Sequence, residues 1–150
     1  MLILGLADNH DAGAALVEDG RLVAACGQER FDRIKNSGAF PWDAIEEVLF
    51  IAGVKPGEVD RVAFGSHFTP ATALRRLPHL HHGTKKGASQ FSPLLNCYVT
   101  YQVFVKESGL WPIEADLSRR FLHRRMRARG FKAPVITLEH HSAHAYSAYR

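Results

Sequence analysis

Three short apolar runs separated by tight turns open the chain, and they restrict its fold more than any other feature. Residues 2–7 (Leu-Ile-Leu-Gly-Leu-Ala) read as a short buried strand. Residues 12–17 read as a second strand, small-sided at its start. Glu18, Asp19 and Gly20 then supply a turn in which Asp-Gly is a hairpin signal, and residues 21–28 give a third strand. Connections this short leave one arrangement, a three-stranded antiparallel meander.

Helix and strand signals alternate after the meander. Residues 29–41 read as irregular, because Asn36, Ser37, Gly38 and Pro41 break any periodicity. A helix is expected over 42–53, with Ala44, Ile45, Val48, Leu49 and Ala52 at helical spacing and Gly53 as its stop. Pro56 and Gly57 turn the chain, and Val59, Val62, Ala63 and Phe64 mark a fourth strand. Residues 66–93, rich in His, Pro, Gly and basic groups, read as a long loop within an irregular insertion over 66–115. Within that insertion the apolar, aromatic stretch 94–108 suits a helix better than a strand. A basic helix is expected over 115–129, ending at Gly130, then a fifth strand over 134–138 and a helix from near Glu139 to the end.

Three antiparallel strands followed by helix-linked parallel ones make an α/β mixed sheet of the ribonuclease-H-like kind. Such a unit is one half of an actin- or sugar-kinase-like domain. Residues 1–150 are accordingly expected to be the N-terminal half of a domain in a longer chain.

Composition removes several other classes. Apolar residues make up 46% and charged residues 23% of the chain, ordinary globular usage that excludes a disordered segment. No apolar run approaches the roughly 18 residues of a membrane helix. The first apolar run meets Asp8 at once and follows no basic leader, unlike a secretory signal. Cys26 and Cys97 match no zinc or redox spacing, so a cytoplasmic protein with free thiols is expected. Charge is unevenly placed. Residues 1–69 carry six basic and eleven acidic groups, whereas 70–93 carry four basic groups and 117–135 seven, both without an acid. Such stripes suit phosphate or nucleic acid, or simply a solvated helix face.

Three clusters could carry chemistry. His140 and His144, four apart on a helix, point the same way and could grip one divalent metal, although a capping or solvent-facing cluster has the same pattern. His141 stands where the zinc-protease pattern needs Glu, so that reading fails. Asp8, Asn9, His10 and Asp11 fall at the turn between the first two strands, suited to proton transfer or to simple turn bonding. Arg30, Arg33 and Lys35 belong to an alternating charged run around Phe31, which could bind an anionic substrate or form surface ion pairs.

Together these stretches resemble the nodulation-type and antibiotic O-carbamoyltransferases. The resemblance lies in His10-Asp11-Ala12-Gly13-Ala14-Ala15-Leu16-Val17, in Glu29-Arg30-Phe31-Asp32-Arg33-Ile34-Lys35, and in the run from His140 to Tyr149. It implies a two-step reaction in a much longer chain. ATP and carbamoyl phosphate form carbamoyl-adenylate in another domain, and the carbamoyl group then passes to a hydroxyl of a small-molecule acceptor. The present domain would be similar to the tRNA threonylcarbamoyl-transferring enzymes. By that likeness His140 and His144 are ligands of iron or zinc, with an acidic third ligand from a later segment. His10 is the base, with Asp8 nearby, and Arg30, Arg33 and Lys35 contact phosphate or acceptor. Its partners are expected to be the acceptor and the remainder of its own longer chain, with no membrane and no nucleic acid. This 150-residue piece is expected to be inactive by itself. A tRNA-modifying relative and a non-catalytic basic module are the alternatives.

Overall fold

The structure, a computed structural model, describes residues 1–9, 11–67, 71–76 and 93–148. Strands β1 (Leu2–Ala7), β2 (Gly13–Glu18) and β3 (Arg21–Gly27) form the expected meander. Asp19 (φ 47°) and Gly20 (φ 82°) are both left-handed, as a two-residue turn matched to strand twist requires. Strand β4 (Arg61–Phe64) pairs in parallel with β1, and β5 (Val135–Thr137) in parallel with β4. The result is a five-stranded mixed sheet in the order β3-β2-β1-β4-β5.

The described helices are α1 (Glu29–Asp32), α2 (Trp42–Ala52), α3 (Thr72–Arg76), α4 (Pro93–Glu107), α5 (Trp111–Arg127) and α6 (His140–Ala148). Helix α2 stops where the sequence signals it: Gly53 is left-handed at φ 66° and its N–H caps Leu49 and Phe50. Two expectations need correction. Residues 29–41 are not wholly irregular, since α1 opens them. Nor is 66–93 a loop throughout, since α3 lies within it; α4 is the helix expected over 94–108, and α5 starts at Trp111, ahead of the expected 115. Pro112 is no obstacle to α5, because a proline in the first helical turn gives up an N–H that has no helical partner anyway. Tertiary contacts rather than propensity hold α3 and are described below. The remainder of that stretch, residues 68–70 and 77–92, lies outside the described residues.

Strand alternation gives the sheet two different faces. Leu4, Leu6, Leu16, Val62, Phe64 and Val135 are buried on one face beneath Ile45 and Val48 of α2 and Leu122 and Met126 of α5. Full burial of each large side chain here contributes about 1.5–3 kcal/mol. The opposite face carries small, half-exposed residues, among them Gly5, Ala7, Gly13 and Ala15. At Gly13 a Cβ would stand 2.9 Å from the Cys26 carbonyl oxygen, so the strands approach there more closely than a larger residue permits.

The basic run over 117–135 is only partly a solvated face. The Arg125 guanidinium lies 4.1 Å from the Phe40 ring centroid, and Arg129 lies 4.5 Å from that of Trp42. These stacks join the end of α5 and the turn that follows it to the entry of α2. Arg119 and Arg120 pair with Asp116 on the exposed side, which holds the Asp116 carboxyl below its ordinary range. Val99, Val103 and Phe104 of α4 and Ile113 and Leu117 of α5 are all about half exposed. Among the described residues no helix is long and apolar enough to cross a membrane.

Candidate functional site

The carboxyl ends of parallel strands are where an open α/β sheet most often presents a ligand cleft. Here β1, β4 and β5 end together, and α6 begins three residues beyond β5. His140 is the first residue of α6. Its Nδ1 lies 3.1 Å from the Gly65 carbonyl oxygen just past β4. A carbonyl only accepts, so Nδ1 carries the proton and Nε2 holds the lone pair. One turn on, the His144 Nε2 stands 3.2 Å from the His140 Nε2, with the rings nearly perpendicular at 86°. Two imidazole nitrogens on one tetrahedral ion, each bonded at 2.0–2.1 Å, sit about 3.3 Å apart. The pair therefore fits a divalent metal in spacing, and His140 fits it in tautomer as well. Among the described residues no group of three His, Cys, Asp or Glu could hold such an ion.

Glu139 sets the start of α6. Its Oε2 accepts the Ser142 N–H at 2.7 Å, taking one of the donors that a helix start leaves unpaired. Backbone N–H groups of Ser142 and His141 hold the Glu139 carboxyl below the usual carboxylate range. A depressed folded value means that this capping is fully present above the ordinary carboxylate pKa and is lost as pH falls through the depressed one. Acidification should thus loosen the first turn of α6. The Ser142 amide is expected to lose protection, relative to its intrinsic exchange rate at each pH, across that window, and Glu139→Gln should remove that pH dependence of protection. Protection that does not change with pH in the native chain would remove Glu139 as the cap.

His140 and His144 line a cleft of about 760 Å³ whose floor is the small-residue sheet face at Gly5 and Ala15 and whose rim includes Asp11 and Arg30. Asp11 and Arg30 also line a neighbouring cleft of about 640 Å³ with Glu29, Arg33, Lys35 and Asn36. The structure thus brings together the expected metal pair and the three expected substrate-binding cations, with Arg30 at the junction. The cationic loop is preformed. Asp32 accepts the Ile34 N–H at 2.9 Å and the Ser37 hydroxyl, and the Ser37 carbonyl accepts the Ala12 N–H at 2.9 Å. Arg33 (φ 55°), Asn36 (φ 56°) and Asp11 (φ 59°) are left-handed without being glycine. Such backbone persists only where surrounding contacts enforce it, and it concentrates at ligand-binding sites.

Asp8 has a different setting from the one the sequence suggested. It is buried, and Arg75 of α3 binds both its oxygens at 2.7 and 2.9 Å. Both oxygens of that carboxylate are thus engaged by one guanidinium. His10 lies outside the described residues. Sequence reading passed over Gly65, Arg75 and Ser118. Arg75 was visible only as one of four cations in a basic stretch, and no local pattern ties it to Asp8.

The chain is thus a mixed-sheet α/β domain with a histidine pair and a cationic loop in adjoining clefts at the carboxyl ends of its parallel strands. The chain belongs to the carbamoyltransferase N-terminus family, whose profile matches residues 2–150. It is 32% identical over 152 residues to the uncharacterized protein sll1178 of Synechocystis sp., which covers 98% of this chain and 23% of that protein. It is 42% identical over 55 residues to the nodulation protein NolNO of Sinorhizobium fredii, covering 37% of this chain and 8% of that one. Among solved structures it is similar to YeaZ from Pseudomonas aeruginosa, with a TM-score of 0.36 and 20% identity over 51% of this chain and 35% of that one. The chain thus spans less than a quarter of the length of the curated relative it matches from end to end.

Proposed function

We propose that this chain forms the N-terminal part of an ATP-dependent O-carbamoyltransferase. In this reading the carbamoyl group moves from carbamoyl-adenylate to a hydroxyl of a small-molecule acceptor. The observation that carries the reading is the convergence of His140, His144 and the loop cations in adjoining clefts on one sheet edge. The strand order, three antiparallel strands and then two parallel, suits one half of a ribonuclease-H-like pair.

Each group has a part in this proposal. His140 and His144 would hold iron or zinc through their Nε2 atoms, with an acidic ligand from a later segment completing the set. Such an ion, when bound, acts as a Lewis acid toward an oxygen of the carbamoyl donor. The Gly65 carbonyl keeps the His140 lone pair aimed into the cleft. Arg30, Arg33 and Lys35 bind the anionic part of donor or acceptor, and their fixed loop spares the entropy of ordering it. His10 takes the acceptor's hydroxyl proton.

The test is direct. The enzyme that carries this chain, supplied with carbamoyl phosphate, ATP and a panel of hydroxyl compounds, should add one carbamoyl group to a panel member by mass. Arg33→Glu and Lys35→Glu should each raise the KM of donor or acceptor. Carbamoylation with unchanged KM in both variants would remove the loop from the site. An enzyme that carbamoylates tRNA and none of the small molecules would replace the reading with its nucleic-acid alternative.

A further inference from the structure

A further cleft lies apart from the histidine pair. It encloses about 280 Å³ between α5 and the start of β5, and Arg119, Arg120, His123, Arg124, Pro134 and Val135 line it. The histidine pair follows the other, carboxyl end of β5, and the two clefts share no lining residue. Every polar side chain in the lining is basic, and Pro134 and Val135 make an apolar wall.

Helical spacing sets the grouping. Arg120 and Arg124 are four apart and face the same way, as do Arg119 and His123 beside them. The Asp116 carboxylate orders two of the arginines, accepting from Arg119 Nη2 at 2.5 Å and from Arg120 Nε at 2.6 Å. Among the described residues Arg124 pairs with no carboxylate. Three guanidiniums against one carboxylate leave two positive charges uncompensated at neutral pH. A phosphomonoester carries close to two negative ones. The helix dipole favours cations at a carboxyl end, and Arg124 and Arg127 both serve it. That effect fades within the last turn, so it does not account for a concave group reaching back to Arg119.

We propose that this cleft is an anion site for one phosphoryl group, carried by a small phosphorylated ligand or present as the free ion. A guanidinium fork matches two phosphate oxygens at once, and His123 adds an N–H even when neutral. The cleft is smaller than the roughly 300–1,000 Å³ of pockets that hold drug-sized ligands, so it takes the phosphate and little of what bears it. The site is independent of the carbamoyl-transfer reading and of the loop cations that serve it.

Equilibrium dialysis of the full-length protein against inorganic phosphate, and in parallel against methyl phosphate, tests the site. The variants are Arg124→Ala, Arg120→Ala/Arg124→Ala, Arg127→Ala and Arg33→Glu. The positions on α5 are exposed or paired at the surface, and alanine is the best helix former, so thermal unfolding should stay native. Arg124→Gln replaces any variant at 124 that does not fold. The native protein should bind a phosphate that Arg33→Glu retains. Arg124→Ala should weaken it about tenfold and the double variant about 100-fold. Arg127→Ala removes the same charge from the same helix end but not from the cleft, and its Kd should stay within about twofold of native. Tighter binding of methyl phosphate would mark an ester as the ligand, and tighter binding of phosphate the free ion; either supports the site. Equal weakening by Arg124→Ala and Arg127→Ala would reduce the cleft to a diffuse basic face and overturn the proposal. So would the absence of any phosphate retained by Arg33→Glu. Binding of tRNA with binding of neither probe would overturn it in favour of a nucleic-acid surface.

Discussion

Replacing His144 by Ala should strip the metal from the full-length enzyme and abolish transfer together. The two Nε2 atoms stand 3.2 Å apart, the separation of two nitrogens on one ion, and either imidazole by itself is a weak monodentate ligand. Removing an outer-sphere partner of a metal ligand already costs about 10–100-fold in affinity. Loss of a ligand itself should therefore reduce metal affinity at least about 100-fold. His140→Ala should match it, since it also removes the bond to Gly65. His141 provides the control: its side chain is turned about 100° from that of His140, and it is exposed. His141→Ala should keep both metal and activity. Elemental analysis of the purified variants decides the matter, and full occupancy in His144→Ala would sink the assignment.

His10→Asn should produce the other large effect, confined to one step. An acceptor alcohol is a poor nucleophile until its proton is taken, and general-base help is typically worth about 10²–10⁴ in rate. Asparagine keeps the approximate size and some hydrogen bonding but has no basic nitrogen. Adenylate formation from ATP and carbamoyl phosphate should survive, while transfer to the acceptor falls by about that factor. The native pH–rate profile should rise through a group titrating near neutrality, as an imidazole does. Transfer at the native rate in His10→Asn would reduce the turn Asp8-Asn9-His10-Asp11 to a structural one.

Much of the fold was legible in the sequence because its signals are local. Alternation and an Asp-Gly turn specify the meander, and the observed β1, Leu2–Ala7, has the expected bounds. Helical spacing of Ala44, Ile45, Val48 and Leu49 with Gly53 behind them specifies α2, and all four are buried as that spacing requires. The histidine pair was legible for the same reason, since residues four apart on a helix meet whatever surrounds them.

The tertiary structure decided the rest. On α5 the buried face runs through Glu114, Ser118, Leu122 and Met126 at intervals of four. Leu122 and Met126 announce themselves as core, whereas Glu114 and Ser118 read as surface residues. Glu114 and Ser118 are buried because α3 brings Thr72 and Arg75 to meet them, and nothing within α3 foretells that encounter. The same holds for Asp8 and Arg75, which are 67 residues apart. Periodicity records which residues avoid water, and so the sequence by itself determined the apolar layers of this protein. The partner of a buried charge is set by where distant segments cross the sheet, and only the folded chain supplies that information.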